Sequence, residues 1–184
     1  QEGPHQGRSA RFDPKVLGSV LRNRGARLAS LGYLGHMWEL YAMWSTIGLF
    51  WRAATERGSA PTWLAPVMAF LSIGAGAIGS LVAGRFADVV GRSNVTIVAM
   101  AISGACAIVI GPAMDAPLLV LAAISLVWGA SVVADSAQFS AAVTEFSPSS
   151  YVGTAVTVQT ASGFLLTMIT IRMVPTWVGW WGWE

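Results

Sequence analysis

The sequence predicts an all-α membrane fold, a polytopic bundle of five transmembrane helices, on three observations. Hydrophobic residues fill 54% of the 184 positions and charged residues only 11%, far below the roughly 25% charged of a soluble domain. Five apolar runs, residues 28–51, 63–83, 95–114, 118–143 and 151–174, reach the ~20 residues that a spanning helix needs. The gaps between them are short. A membrane barrel would instead show strands of about 10 residues with polar alternation, and these runs are longer and more evenly apolar.

Residues 1–27 precede the first run and read as a linker. Residues 1–12 are polar. Asp13-Pro14 predicts a helix start, a capping carboxylate followed by proline in the first turn. Val16, Leu17, Val20 and Leu21 then form an apolar face with Lys15, Arg22 and Arg24 around it. This is either a short amphipathic helix on the membrane surface or a solvated linker helix. The chain opens Gln1-Glu2-Gly3-Pro4 with neither an initiator methionine nor a signal-peptide pattern, which reads as the interior of a longer chain.

The first run carries His36 and Glu39, three apart and so on one helical face. In the second, Ser72, Gly76, Ser80 and Gly84 recur every four residues, a stripe of small side chains that predicts close helix pairing. The third holds the lone Cys106, which excludes an internal disulfide or a cysteine metal site. The fourth places Trp128, Ser131, Asp135 and Gln138 on one stripe. The fifth contains Gln159 and Thr160 and, near its far end, Arg172, which is expected to snorkel outward. Residues 175–184 are expected to form a Trp-rich tail.

Charge sets the expected orientation. Arg8, Arg11, Lys15, Arg22, Arg24 and Arg27 precede the first run, and Arg85 and Arg92 lie between the second and third. The positive-inside rule places both groups in the cytoplasm, and five spans then leave the C-terminus outside. Trp51, Trp63, Trp177, Trp180, Trp181 and Trp183 are expected at the outer boundary, where an indole buries its ring and keeps its N–H wet. Trp38 and Trp128 fall away from that belt.

An ionisable group inside a span costs about 2.5–3.5 kcal/mol on insertion scales and is a functional candidate by default. Glu39 and Asp135 are candidates for proton uptake, and His36 for relaying that proton near neutral pH. Trp38 and Trp128 offer aromatic surface. The structural alternative is a buried His36–Glu39 pair, with Asp135 bonded only to Ser131 or Gln138.

Residues 84–92 read as a tight charged turn between two spans, Gly-Arg-Phe-Ala-Asp-Val-Val-Gly-Arg, with Gly84 and Gly91 supplying backbone freedom. In this segment Gly84, Asp88, Gly91 and Arg92 match G-x-x-x-D-x-x-G-R-[KR]-[KR], the cytoplasmic loop motif of the major facilitator superfamily, and the chain resembles the C-terminal half of such a transporter. Ser93 and Asn94 depart from the motif's basic end. The run Gly32-Tyr33-Leu34-Gly35-His36-Met37-Trp38-Glu39-Leu40-Tyr41 is also similar to bacterial members. The resemblance implies spans equivalent to the seventh to eleventh of twelve and a bacterial inner-membrane location. It implies a partner in the six-helix N-terminal half, and secondary transport by alternating access, with proton coupling. It further implies that the first and fourth helices line the central cavity. That would place His36, Glu39, Trp128, Asp135, Gln138 and Gln159 on the substrate or proton pathway. Glu145, followed by Pro148 and Gly153 as in the family's E-x-x-P…G turn, is implied to pair with Arg92 or Arg85 and latch the outward-facing state, with Gly84, Arg85, Asp88 and Gly91 completing the gate.

The residues themselves bear on two other classes. A membrane enzyme is disfavoured: H-E-x-x-H, G-x-S-x-G and any cysteine cluster are absent, and His5 and His36 are the only histidines. A non-transporting sensor or assembly module remains the alternative, against which the polar faces of the first and fourth runs argue. No cofactor, metal or nucleic-acid partner is expected. The expected partners are the lipid bilayer and a small-molecule or ion substrate.

Overall fold

A computed structural model describes Gly18 and residues 22–183. The expected amphipathic segment around Val16, Leu17, Val20 and Leu21, with Lys15 and the more distal Arg8 and Arg11, lies outside the described residues. Within them every regular element is helical: α1 (Arg24–Arg57), α2 (Leu64–Val90), α3 (Arg92–Ile110), α4 (Leu118–Ala134), α5 (Ser136–Phe146), a 3₁₀ turn (Ser149–Tyr151) and α6 (Val152–Trp181).

Four segments are long and apolar enough to cross a membrane: α2, α3, the α4–α5 pair and the 3₁₀ turn with α6. The chain is thus a helical membrane bundle. The first expected span, α1, is not among the four. Its 34 residues would extend about 51 Å at 1.5 Å per residue, so polarity rather than length sets it apart. Its position explains that polarity. α1 packs against α2, α4, α5 and α6; its polar His36, Thr46 and Thr55 lie on the buried face, while Leu28, Leu31, Trp44 and Leu49 stay exposed. Its inward face carries the main core, Leu40, Met43, Ile47, Phe50, Trp51 and Ala54.

α1 runs the full length of the bundle. At one end the Asn23 side chain caps it, accepting from Gly25 N at 2.9 Å and Ala26 N at 3.2 Å, while Asn23 Nδ2 donates to Phe146 O at the end of α5 (3.1 Å). At the other end Arg57 Nη1 meets Asp115 Oδ1, between α3 and α4, at 2.8 Å. Phe50 there packs edge-on against Trp183, ring centroids 5.3 Å apart.

α2 and α4 make the closest helix pair. A Cβ on Gly129 would strike the carbonyl oxygen of Ser72, and one on Gly79 that of Ala130. The expected small-residue stripe is therefore half right. Ser72 and Gly76 are buried, but Ser80 and Gly84 are exposed. Four residues turn a helix by about 400°, so a strict four-residue repeat drifts off its face. The packed line continues instead through the half-buried Gly79 and the buried Ala83 and Ala87.

Four further expectations are corrected. Residues 84–90 form the last turns of α2 rather than a loop, and Gly91 alone breaks the helix, at φ +89°. Gly84 is helical, with open space where its Cβ would sit. The fourth run is interrupted at Asp135, between α4 and α5. Trp51 is fully buried beside Phe50, because it points inward with Ile47 and Ala54 rather than to an interface. Finally, α6 passes through Pro175 to Trp181, so no tail begins at 175. Its Thr176 hydroxyl donates to Arg172 O at 2.8 Å, next to the turn that proline disturbs.

Candidate functional site

The polar side chains of the bundle gather at three places around α1. The first is at the interruption of the fourth run. Asp135 adopts φ −89°, ψ −11° between the two helices. No proline or glycine stands there to cause a break. What marks the position is its side chain: Asp135 Oδ1 lies 2.8 Å from His36 Nδ1. The contact is a close polar approach, and Oδ1 has no hydrogen-bond partner of good geometry among the described residues. Both residues are buried, at 2% and 3% exposure. Tyr33 and Phe139 flank the imidazole, with ring centroids 6.1 and 5.7 Å away. His36 Nε2 has no hydrogen-bond partner among the described residues.

The second place is one turn along α1. Glu39 does not pair with His36. Three residues rotate a helix by about 300°, so the two side chains diverge by about 60° and meet different neighbours. Glu39 Oε1 accepts from the Ser103 hydroxyl of α3 and from Trp128 Nε1 of α4, the latter at 3.3 Å. Trp128 is thereby engaged through its indole N–H. Ser103 was not singled out from the sequence, although the buried spacing of Ala99 and Ser103 on α3 would have carried it.

The third is at the end of the bundle where Gly91 turns. Arg92 opens α3, and its Nε lies 3.0 Å from Glu145 Oε1, while its Nη1 donates to Gln138 Oε1 at 3.3 Å. Arg92 thus grips α5 at two points, one exposed and one buried. Of the two candidate partners for Glu145, the geometry selects Arg92. Arg85 and Asp88 are exposed and form no ion pair with another described residue.

Gln159, buried on α6, finds no partner for its amide among the described residues. Ser131 is bonded to its own helix, at Val127 O (2.8 Å) and Trp128 O (3.1 Å), rather than to Asp135. Trp38 packs near Trp177, ring centroids 6.4 Å apart. Arg172 is exposed, and among the described residues it forms no ion pair.

The Arg92–Glu145 pair is half-exposed, with side chains 44% and 55% accessible. A pair in that setting contributes about 0–1 kcal/mol. Glu145→Ala is therefore expected to lower stability by no more than about 1 kcal/mol in detergent-unfolding measurements. The loss should shrink further in high salt. A larger, salt-independent loss would show that Glu145 does something other than pair with Arg92.

Comparison of the chain with protein-family models, curated proteins and solved structures returns no significant match.

Proposed function

We propose that the chain is the C-terminal part of a secondary transporter of the major facilitator type, moving a small solute by alternating access with proton coupling. In this reading α1 is a fifth membrane span. The Asn23 and Arg92 end faces the cytoplasm of a bacterial inner membrane, the Trp183 end lies outside, and a six-helix partner half completes the pathway. The observation that carries the reading is the grip of Arg92 on Glu145 and Gln138, next to the positive-φ turn at Gly91. That arrangement joins the start of α3 to the far end of α5 across one face of the bundle, where a gate joining moving helices is required. It is weak enough to open in each cycle.

Broken helices with ionisable side chains at their interruption suit ion coupling in transporters, and Asp135 supplies one here. His36–Asp135 and Glu39 are then the groups that take up and release protons, while Gln159 offers a buried amide along the same pathway.

Uptake driven by an imposed pH gradient tests this, in vesicles holding the chain together with its partner half. Flux is expected in the native protein and is expected to disappear when Glu39→Gln and Asp135→Asn are combined. Flux that survives both changes would remove the coupling sites. A folded complex that carries no solute would favour the sensor or assembly reading.

A further inference from the structure

We infer that Glu39 is a binding site for an organic cation, an ammonium group held between α1, α3 and α4. The first ground is charge. The five runs, residues 28–51, 63–83, 95–114, 118–143 and 151–174, contain two carboxylates, one imidazole and a single arginine, Arg172, which is exposed near the end of the last run. The imidazole of His36 is taken by Asp135. Glu39, near the middle of α1, is left with no cationic partner among the described residues. A lone charge in a low-dielectric interior attracts a counter-charge strongly.

The second ground is geometry. The Ser103 hydroxyl and Trp128 Nε1 both donate to the same oxygen, Oε1. Oε2 receives nothing from the described residues, and the side chain is only half-buried. The carboxylate is thus fixed by two donors on different helices and presents its second oxygen to an incoming group. Ser103 and Trp128 are themselves 1% and 9% exposed, so the frame that aims Oε2 is rigid packing rather than a surface loop.

The third ground is the lining. A hard metal ion requires six or more oxygen ligands. Among the described residues no group of three or more acidic, histidine or cysteine side chains comes together. One carboxylate oxygen without a donor, in a wall otherwise apolar, instead suits an ammonium, whose single charge needs no set of oxygen ligands. This assignment names the substrate class of the proposed pathway. It rests on the transporter reading only for what the bound cation does next.

The sole cysteine of the chain makes the site testable. Cys106 lies one turn beyond Ser103 on α3 and is partly exposed. In the purified full chain in nanodiscs, choline is expected to slow labelling of Cys106 by N-ethylmaleimide. The slowing should reach about tenfold when choline is at about ten times its dissociation constant. Dimethylbutanol, the uncharged carbon isostere of choline, should give no protection, and Glu39→Gln should abolish the effect of choline. Protection by dimethylbutanol, or choline protection that persists in Glu39→Gln, overturns the proposal. So does a native protein that choline leaves unprotected. The comparison of choline with its isostere needs no variant, so a Glu39→Gln chain that fails to fold does not decide the matter. Protection without solute flux would leave the cation site standing and the transporter reading lost. Flux without protection would do the reverse.

Discussion

Gly129→Val is expected to separate α2 from α4 and to cost the bundle at least about 3 kcal/mol, the upper end of the usual overpacking range. The reason is the identity of the atom in the way. A Cβ on Gly129 collides with the backbone carbonyl of Ser72, and one on Gly79 with that of Ala130. A side chain can rotate out of such a clash, but a helix backbone has to move as a whole. In lipid no hydrophobic gain from pairing offsets that shift, because close backbone approach is itself what holds the helices together. Gly79→Val is expected to behave in the same way.

The control is Gly84→Ala. That glycine belongs to the matched motif, yet its Cβ would meet open space and its backbone is helical. Alanine there should be neutral or stabilising by about 0.5–1 kcal/mol, the usual difference between the two residues inside a helix. Reversible unfolding in mixed micelles ranks the variants. If Gly129→Val unfolds like the native chain, the close α2–α4 approach is wrong.

Apolar run length made most of the helices legible. It located the cores of α2, α3, α4 and α6 within a few residues, because about 20 apolar residues admit few alternatives. It misjudged what depends on neighbours. α1 reads as a span like the others, but its polar His36, Thr46 and Thr55 turn inward against four neighbouring helices. The interruption at Asp135 had no local signal, because neither proline nor glycine marks it and its partner is 99 residues earlier in the chain. Trp51 was read by type, as an interfacial residue, when its place on the inward face of α1 governs it.

The candidate site divides in the same manner. His36, Glu39 and Asp135 each make a polar contact in the fold, since a charged side chain in an apolar bundle must find one, while Arg172 lies exposed near the end of its run. The pairing was not legible. His36 and Glu39 share a face in projection, but the 60° between them is enough to send one to α4–α5 and the other to α3 and α4. The Arg92–Glu145 contact was legible only through the family resemblance, because the residues lie 53 positions apart on different helices.

Asp135→Ala is expected to destabilise the protein by about 3–5 kcal/mol, the cost of leaving one member of a buried pair without its partner. His36→Ala should cost a similar amount. Combining them should cost clearly less than their sum, with a coupling of about 1–3 kcal/mol in a double-mutant cycle. The same cycle on Arg92 and Glu145 should give under about 1 kcal/mol. The two contacts differ little in length, 2.8 against 3.0 Å. They differ in surroundings: Tyr33 and Phe139 close over His36, while water reaches both members of the Arg92 pair. The contrast also assigns them different work. An exposed pair can open and close at little cost, as a gate contact must. A buried one costs much more to break and ties α1 to the junction of α4 and α5. Asp135→Asn separates charge from shape, since asparagine keeps the size of the side chain and removes its charge. If Asp135→Asn is nearly as stable as the native chain while Asp135→Ala is not, the polar contact rather than the charge carries the stability. Coupling energies that are equal for the two pairs would refute the division of labour drawn here.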